Sequence, residues 1–412
     1  MPSDSHRWIV VADSAFLPAR DGGQREQSGL VEEAARAGYV AALVVPTKGE
    51  LDRRDYQRLF GDILVLPIRR RLSPLMLLHP RHPYVVASRP TPTGLANRLA
   101  ALVPDATGIV TLSYKSHAIG ERLAADLGLP LVVRQQNRES DYHRSLAAGL
   151  RGPRKLVMRW ETARIVRDEA AFDRSALVTA FADIAADDAE RRRAAGARRV
   201  LHIPPFAFRR SDPADRVRVL RPDQRTDPPR VVFVGALDVV TNSVGLDWFL
   251  ERVWPQVRAA VPDAQLDVVG ARPSTQLQAR MRAVPGGELH ADVPTVEPYL
   301  DRAWVTVNPA ITGSGVNIKL VDYLQAGRPT VSTSLATRGL ALRAGVDLEI
   351  HDDPPGFARA VIELLGDPAR AASMAASGRS TIDRLIDPVR NLDLLTQVFE
   401  DVSQRRESES SR

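Results

Sequence analysis

Val305-Thr-Val-Asn-Pro-Ala-Ile-Thr-Gly-Ser-Gly-Val-Asn-Ile-Lys-Leu-Val-Asp-Tyr-Leu-Gln-Ala-Gly-Arg-Pro-Thr-Val-Ser332 reads as four pieces in order. A short buried strand runs from Val305 to Val307, a Gly-Ser-Gly turn from Gly313 to Gly315, and a helix from about Val316 to Ala326. A second strand opens at Thr330. In this order the free N–H groups of the helix start point out of a sheet's carboxyl edge, beside a turn whose glycines let a ligand come close. Such a helix start is an anion site. Lys319 lies one turn into the helix and Asp322 three residues later, so both project from roughly one face. A cation with an acid behind it suits a nucleotide diphosphate, the cation for the pyrophosphate and the acid for ribose hydroxyls.

The pattern Pro309-x3-Gly-Ser-Gly-x3-Lys-x2-Asp-x3-Ala-Gly-x-Pro-x-Val-Ser-Thr resembles the donor-binding stretch of glycosyltransferase family 4, the glycosyl transferases group 1. Its members are retaining enzymes of the two-domain GT-B fold. Many carry a Glu-x7-Glu pair here, in which the first Glu meets the donor sugar and the second the ribose. Counting back from Asp322 puts the first position on Ser314. Aspartate can still bind ribose, but Ser314 brings no charge, so a sugar contact there falls to its hydroxyl and to the amides from Gly313 to Val316. A branch of the family with Gly-Ser-Gly at this place is what the chain most resembles.

Working outward, Val231-Val-Phe-Val-Gly235-Ala-Leu-Asp, with Asn242, the later Trp-Phe-Leu, and Pro262-Asp-Ala with the strand Leu266 to Gly270, is similar to the opening of family 4 donor domains. Members often place an Arg and a Lys after the first glycine to hold the pyrophosphate. Ala236 to Asn242 contains neither, which throws more weight on Lys319 and the helix terminus. Asn242 to Ala260 has the apolar spacing of one amphipathic helix. Phe357 to Leu365 and Ala369 to Leu385 read as further helices.

The first half alternates β-branched runs with helical patterns, the signature of parallel α/β units. Expected strands are Trp8 to Ala12, Val40 to Val45, Ile63 to Leu66, Val85 to Ala87, Ile109 to Leu112, Leu131 to Val133, Leu177 to Thr179 and Val200 to Ile203. Gly22 and Gly23, between the first strand and its helix, read as a glycine-rich surface turn or as a loop facing phosphate or sugar; the resemblance implies the second. Arg134, Gln136, Asn137 and Glu139 crowd the end of a buried strand, where open sheets put binding residues. This segment resembles the family's Arg-x-His-Asn-x-Glu, with Gln136 in the His position. A polar helix cap and an acceptor-side role both fit Asn137 and Glu139. His117 follows another strand end and reads as a helix-start residue or as a group facing a cleft.

Arg69 to His82 sets five long apolar side chains beside a basic cluster. It reads as a buried loop, a segment that rests on an anionic bilayer, or a hydrophobic acceptor groove. Pro153 to Phe172 reads as one arginine-rich helix whose charges face water, an anionic substrate or lipid.

The 412 residues, 44% apolar, suggest two domains. The division expected is an acceptor-side Rossmann-like domain over 1–208, a linker over 209–230, a donor domain over 231–385, a terminal helix over 386–402 that in GT-B folds packs back on the first domain, and a disordered tail over 403–412. The formal charge of +6 is carried almost wholly by arginine, with lysine only at 48, 115, 155 and 319. No aromatic-interleaved basic repeat appears, so nucleic acid is not an expected partner. The absence of cysteine excludes disulfides, thiolate nucleophiles and cysteine-held metals. The expected location is cytoplasmic, without signal peptide or spanning helix, with peripheral contact at an anionic membrane allowed.

The resemblance implies a retaining transferase moving a sugar from a nucleotide-sugar to a glycan, lipid-linked or small-molecule acceptor, without a metal or other cofactor. It implies Gly22, Gly23, Gly235, Gly313, Ser314, Gly315, Val316, Lys319 and Asp322 as donor-binding, and Lys319, Asp322, Asn137 and Glu139 as catalytic; His117 joins the catalytic candidates from its place after a strand end. A GT-B protein that binds nucleotide-sugar or glycan without transfer is the alternative. A nicotinamide oxidoreductase is disfavoured, since no Gly-x-Gly-x-x-Gly follows either first strand.

Overall fold

Short apolar runs joined by helices build two parallel sheets. The first has seven strands: β1 (Trp8–Val11), β2 (Val40–Thr47), β3 (Leu64–Arg69), β4 (Gly108–Thr111), β5 (Leu131–Gln135), β6 (Ala180–Asp183) and β7 (Val200–His202), in the order β3-β2-β1-β4-β5-β6-β7. The second has six: β8 (Arg230–Val234), β9 (Gln265–Gly270), β10 (Gly287–Ala291), β11 (Val305–Asn308), β12 (Thr330–Ser332) and β13 (Glu349–Ile350), in the order β10-β9-β8-β11-β12-β13. The computed structural model describes residues 6–19, 21–148, 150–206, 228–313 and 315–410.

Helices cover both faces of such sheets, so central strands are apolar throughout rather than alternating. Every residue of β1 and β2 is buried accordingly. Each sheet reverses its winding once, between β1 and β4 in the first and between β8 and β11 in the second. Beyond the carboxyl ends of those strand pairs lie the crevices where open sheets bind ligands.

The chain divides into two compact units. The first holds the residues up to Ala19, Gly23–Phe206 and the residues from Asp387 on; the second runs to Ile386, and the division also falls between Gly22 and Gly23. In the first unit the terminal helix Pro388–Ser410 supplies Leu392, Leu395, Val398 and Phe399 to the core under β1. The Phe399 ring lies 5.2 Å from that of Trp8, and a Cβ at Gly108 would overlap it.

Several elements differ from the sequence expectation. Val85 to Ala87 is no strand but part of the helical turn Tyr84–Ala87, because Pro83 sets the entry and its carbonyl accepts from Val86 and Ala87 N–H. The strand expected at Leu177 to Thr179 lies at β6, where the Ala-Phe-Ala-Asp sequence lacks a β-branched signal. The helix expected over Asn242 to Ala260 is interrupted by a wide π turn, Phe249–Val253, just before Pro255, which has no N–H for the α ladder. The tail expected to be disordered continues the last helix to Ser410, since no glycine or proline follows Pro388 and Glu, Gln and Arg favour helix. Strands β10 and β13, unmarked by apolar runs, are edge pieces of the second sheet. Most of the expected linker lies in 207–227, outside the described residues.

Candidate functional site

In the second unit, three segments converge beyond β8 and β11, the strands that flank the switch point. β11 ends at the buried Asn308, neither of whose amide atoms has a hydrogen-bond partner. The chain then crosses to the helix Ile318–Gln325 through Gly313 and Gly315, whose φ of 132° and 75° lie where glycine is favoured. A Cβ at Gly245 would overlap the Pro309 carbonyl, so the helix Val240–Trp248 lies directly against this loop. Asn317 occupies the N-cap but makes no side-chain capping bond, so its side chain satisfies none of the first-turn amides.

Lys319 projects from the first turn. Its Nζ donates to Asn242 Oδ1 at 2.5 Å and stands 4.6 Å from the centre of the Phe233 ring. Asn242 Nδ2 donates in turn to the Ala236 carbonyl at 2.9 Å, which fixes the amide's orientation. A Cβ at Gly235 would come within 3.0 Å of Lys319 Nζ, so the absence of a side chain there makes room for the ammonium. Burial pulls Lys319 down to about 7, against the opposing pull of Asp322. The Tyr323 hydroxyl accepts from Val234 N–H at 2.7 Å, tying the helix to β8. Asp322 is half-buried on the same helix, and Val316 is buried. Ser314 lies outside the described residues.

The corresponding edge of the first unit is differently charged. Asp13 follows β1, Lys115 follows β4 and Glu139 follows β5. Lys115 Nζ lies 3.5 Å from Glu139 Oε1 and 3.8 Å from Asp13 Oδ2. Glu139 raises the Lys115 ammonium above its ordinary value, against burial and with help from Asp13. Burial works against the Asp13 carboxylate, yet Lys115 and Arg89 hold it below its ordinary value. Glu139 is 2% exposed, and its Oε1 makes ionic contact without a hydrogen bond. Asn137 is half-buried two residues earlier, at the foot of the helix Glu139–Ala148. Gly22 and Gly23 open the helix Gly22–Arg36, and Gln136 Nε2 donates to the Gly23 carbonyl at 3.0 Å.

Two expectations for this edge are corrected. Arg134 does not line an open surface: it is wholly buried, with Nε and Nη2 donating to Glu26 Oε1 at 2.8 and 2.6 Å and further bonds to the carbonyls of Ile203 and Pro204. His117 does not face a cleft either. It is 3% exposed, with Nδ1 2.9 Å from Glu121 Oε2 and Nε2 3.0 Å from Asp168 Oδ2. Burial disfavours its charge, but these two acids raise its pKa above the ordinary value.

Among the described residues, two groups bring three potential metal ligands together: His82, His117 and Asp168 in the first unit, and Asp267, Glu288 and His290 in the second. In the first, each histidine already meets its own oxygen of Asp168 at 3.0 Å. In the second, Arg230 and Arg302 pair with Asp267 and supply the positive charge.

The local motif located Gly313, Gly315, Lys319 and Asp322 because all lie within ten residues. Reasoning from sequence gave no role to Asn242 or Phe233, although both stand in the run that follows and forms β8. Asp13 and Lys115 were missed outright; their only signal is a position just after a buried strand.

Residues 228–367 match the family model described as Glycosyl transferases group 1. A curated relative, an uncharacterized 44.6 kDa protein in the cps region of Klebsiella pneumoniae, is 29% identical over 139 residues, which is 32% of this chain and 36% of the relative. The match thus spans about a third of that relative's length. Solved structures share the fold over nearly the whole chain. The pneumococcal O-GlcNAc transferase GtfA in complex with UDP and GlcNAc superposes with a TM-score of 0.65 at 10% identity, covering 96% of this chain and 99% of that one. Sucrose-phosphate synthase from Thermosynechococcus elongatus gives 0.64 at 15% identity, covering 97% and 100%. Anabaena HepE in complex with UDP-glucose gives 0.63 at 13%, also covering 97% and 100%. The second unit thus matches the glycosyl transferases group 1 model over residues 228–367, in a chain whose two parallel-sheet α/β units share the GT-B fold.

Proposed function

We propose that the chain is a nucleotide-sugar-dependent glycosyltransferase that holds the donor diphosphate at Lys319 and the first turn of the helix Ile318–Gln325. The observation that carries this reading is the Lys319 ammonium itself. It sits at the switch point of the second sheet, drawn to about 7 by burial and hydrogen-bonded to a neutral amide. An arriving pyrophosphate supplies the negative charge this position lacks and restores full protonation. Asp322 accepts from ribose hydroxyls, and the amides from Gly313 to Val316, with the Ser314 hydroxyl, meet the donor sugar. Asn137 and Glu139 serve the acceptor.

In the reaction the bond from the anomeric carbon to the diphosphate oxygen breaks, the bond to the acceptor oxygen forms, and the leaving phosphate oxygen takes the acceptor's proton on the same face, so configuration is retained. Lys319 and the backbone amides stabilise the leaving charge, a preorganised electrostatic role that this reading assigns to them rather than to a metal. The acceptor is a glycan, a lipid-linked glycan or a small molecule. Ser314 in the place of the family's first Glu favours a second reading, in which the protein binds a nucleotide-sugar without transferring it.

Nucleotide release from UDP-, GDP-, ADP- and dTDP-sugars, with binding followed by calorimetry in parallel, separates the two. UDP-sugars come first because the Anabaena and pneumococcal structures hold UDP. Turnover of one donor, lost in Lys319→Ala, is the expected result. Tight binding without release, with every acceptor class supplied, supports the second reading, and no binding to any donor overturns both.

A further inference from the structure

The segment from Arg69 to His82 is not the buried loop that its leucines suggest. It is fastened to the first unit by Arg70 N–H on the Thr47 carbonyl and Arg71 N–H on the Ser88 carbonyl, then forms a short 3-10 helix, Pro74–Leu78, capped by Ser73. No residue of that helix is buried, and Leu75 and Leu78 are 69% and 73% exposed. The helix Gly152–Phe172 stands beside it. Arg164 reaches from that helix to the carbonyls of Leu77, His79 and His82, and Glu161 accepts from Tyr84 N–H. One turn back along the same line, Trp160 lies under the Arg164 guanidinium, and Leu156 follows at 68% exposure. Leu75, Leu78 and Leu156 are the three most exposed large apolar side chains among the described residues, and all three belong to this pair of segments. A folded protein rarely leaves such a cluster to water without a use.

Along the two stretches that hold the leucines the charge has one sign, the next acid, Glu161, being buried. Residues 69–83 and 151–160 carry four basic side chains each and no acid. Beside the leucines, a pocket of about 630 Å³ is lined by Arg69, Arg70 and Arg71 together with Ser73, Met76 and Thr93. Three arginines and a serine among the residues that line an open pocket suit a phosphate ester. Leucines that protrude next to it suit the boundary where head groups meet acyl chains. No helix among the described residues is long and apolar enough to cross a membrane, so contact of this kind is made from the surface.

We propose that this face of the first unit docks on an anionic bilayer, with a lipid phosphate in the Arg69–Arg71 pocket and Leu72, Leu75, Leu78, Leu156 and Trp160 seated in the interface. The proposal is independent of transfer at Lys319. Both segments contribute, one with the phosphate pocket and the other with a further basic row and the tryptophan.

Co-sedimentation of the full chain with phosphatidylcholine vesicles, with and without phosphatidylglycerol, tests it. Binding is expected to the anionic vesicles and to fall steeply with salt. Arg69→Ser with Arg71→Ser should reduce partitioning about twenty-five-fold, each basic residue near an anionic surface contributing about a fivefold factor. Leu75→Ser with Leu78→Ser should reduce it about tenfold or more while leaving the charge untouched. All four side chains are exposed, so unchanged melting temperatures are expected; Lys319→Ala should bind vesicles as the wild type does. Equal binding to neutral vesicles, or no binding to anionic ones, overturns the proposal. So does saturation of the pocket by inorganic phosphate together with no effect of the leucine pair, which would make it a site for a soluble phosphate. Loss of a dimer in the leucine variant, without vesicle binding by the wild type, would assign the face to a second copy of the chain instead.

Discussion

Two of the chain's four lysines occupy comparable places in their units, each following a strand that borders the switch point, and they are held in opposite electrostatic states. Lys115 lies between Asp13 and Glu139 and is raised above the ordinary lysine value. Lys319 hydrogen-bonds to the Asn242 amide, packs against an aromatic face and is drawn down to about 7. Topology therefore supplies the position, and the neighbouring carboxylates decide what the position is for. The first unit's edge pairs its cations with acids from within, Lys115 with Asp13 and Glu139 and Arg134 with Glu26. The second unit's edge presents an ammonium whose direct partner carries no charge, the state that the proposed donor site calls for.

The largest expected effect tests whether the first edge is locked internally. Arg134→Ala leaves Glu26 buried without its partner and should cost about 3–5 kcal/mol in urea unfolding. A loss below about 1 kcal/mol would break the comparison, because the pair would then be dispensable. Lys319→Ala should lower affinity for a nucleoside diphosphate by about 1.5–3 kcal/mol, the range for a hydrogen bond to a charged group, with stability unchanged or raised. Calorimetry reads the first and thermal unfolding the second; unchanged affinity would remove Lys319 from the donor site. Lys115→Ala should do the reverse, destabilising the fold by about 1–3 kcal/mol while leaving diphosphate affinity intact.

The smallest effect is in pH dependence, and the two lysines differ in sign. Lys319 releases its proton near 7 in the folded chain and near the ordinary lysine value when unfolded, so between those limits the unfolded chain binds more protons and stability rises with pH. Lys115 has a raised folded value, so its contribution is fully present below the ordinary lysine value and is lost only as pH rises through the folded one. Melting temperatures from pH 7 to the onset of lysine titration should therefore rise less in Lys319→Ala than in the wild type, with Lys115→Ala keeping the wild-type slope. Equal slopes in all three would mean that Lys319 is not desolvated.

The same contrast explains what could be read from the sequence. Lys319, Asp322 and the two flanking glycines are legible because a strand, a turn and one helical turn hold them together within a single segment. Asp13, Lys115 and Glu139 meet only because three strands separated by whole helices end side by side, and no spacing records that. His117 misled for a related reason: its strand-end position fits an exposed group, but the acids that bury it come from its own helix and from Asp168 on a later one. In the fold, apolar β-branched runs marked most strands. The exceptions were β6, whose small side chains hide it, the edge strands β10 and β13, which carry no apolar run, and the Val85–Val86 pair, whose conformation Pro83 decides.

The terminal helix also has a bearing on synthesis. Leu392, Leu395, Val398 and Phe399 complete the core beneath β1, and Asn391 donates to the Pro204 carbonyl where the first unit's own run of chain ends. On the ribosome, the residues that begin the first unit must therefore wait, with Trp8 lacking its cover, until the whole of the second unit has been made. The second unit, apart from a short piece ending at Gly22, is finished at Ile386 and can close before the terminal helix is made, so the domain begun second is free to fold first.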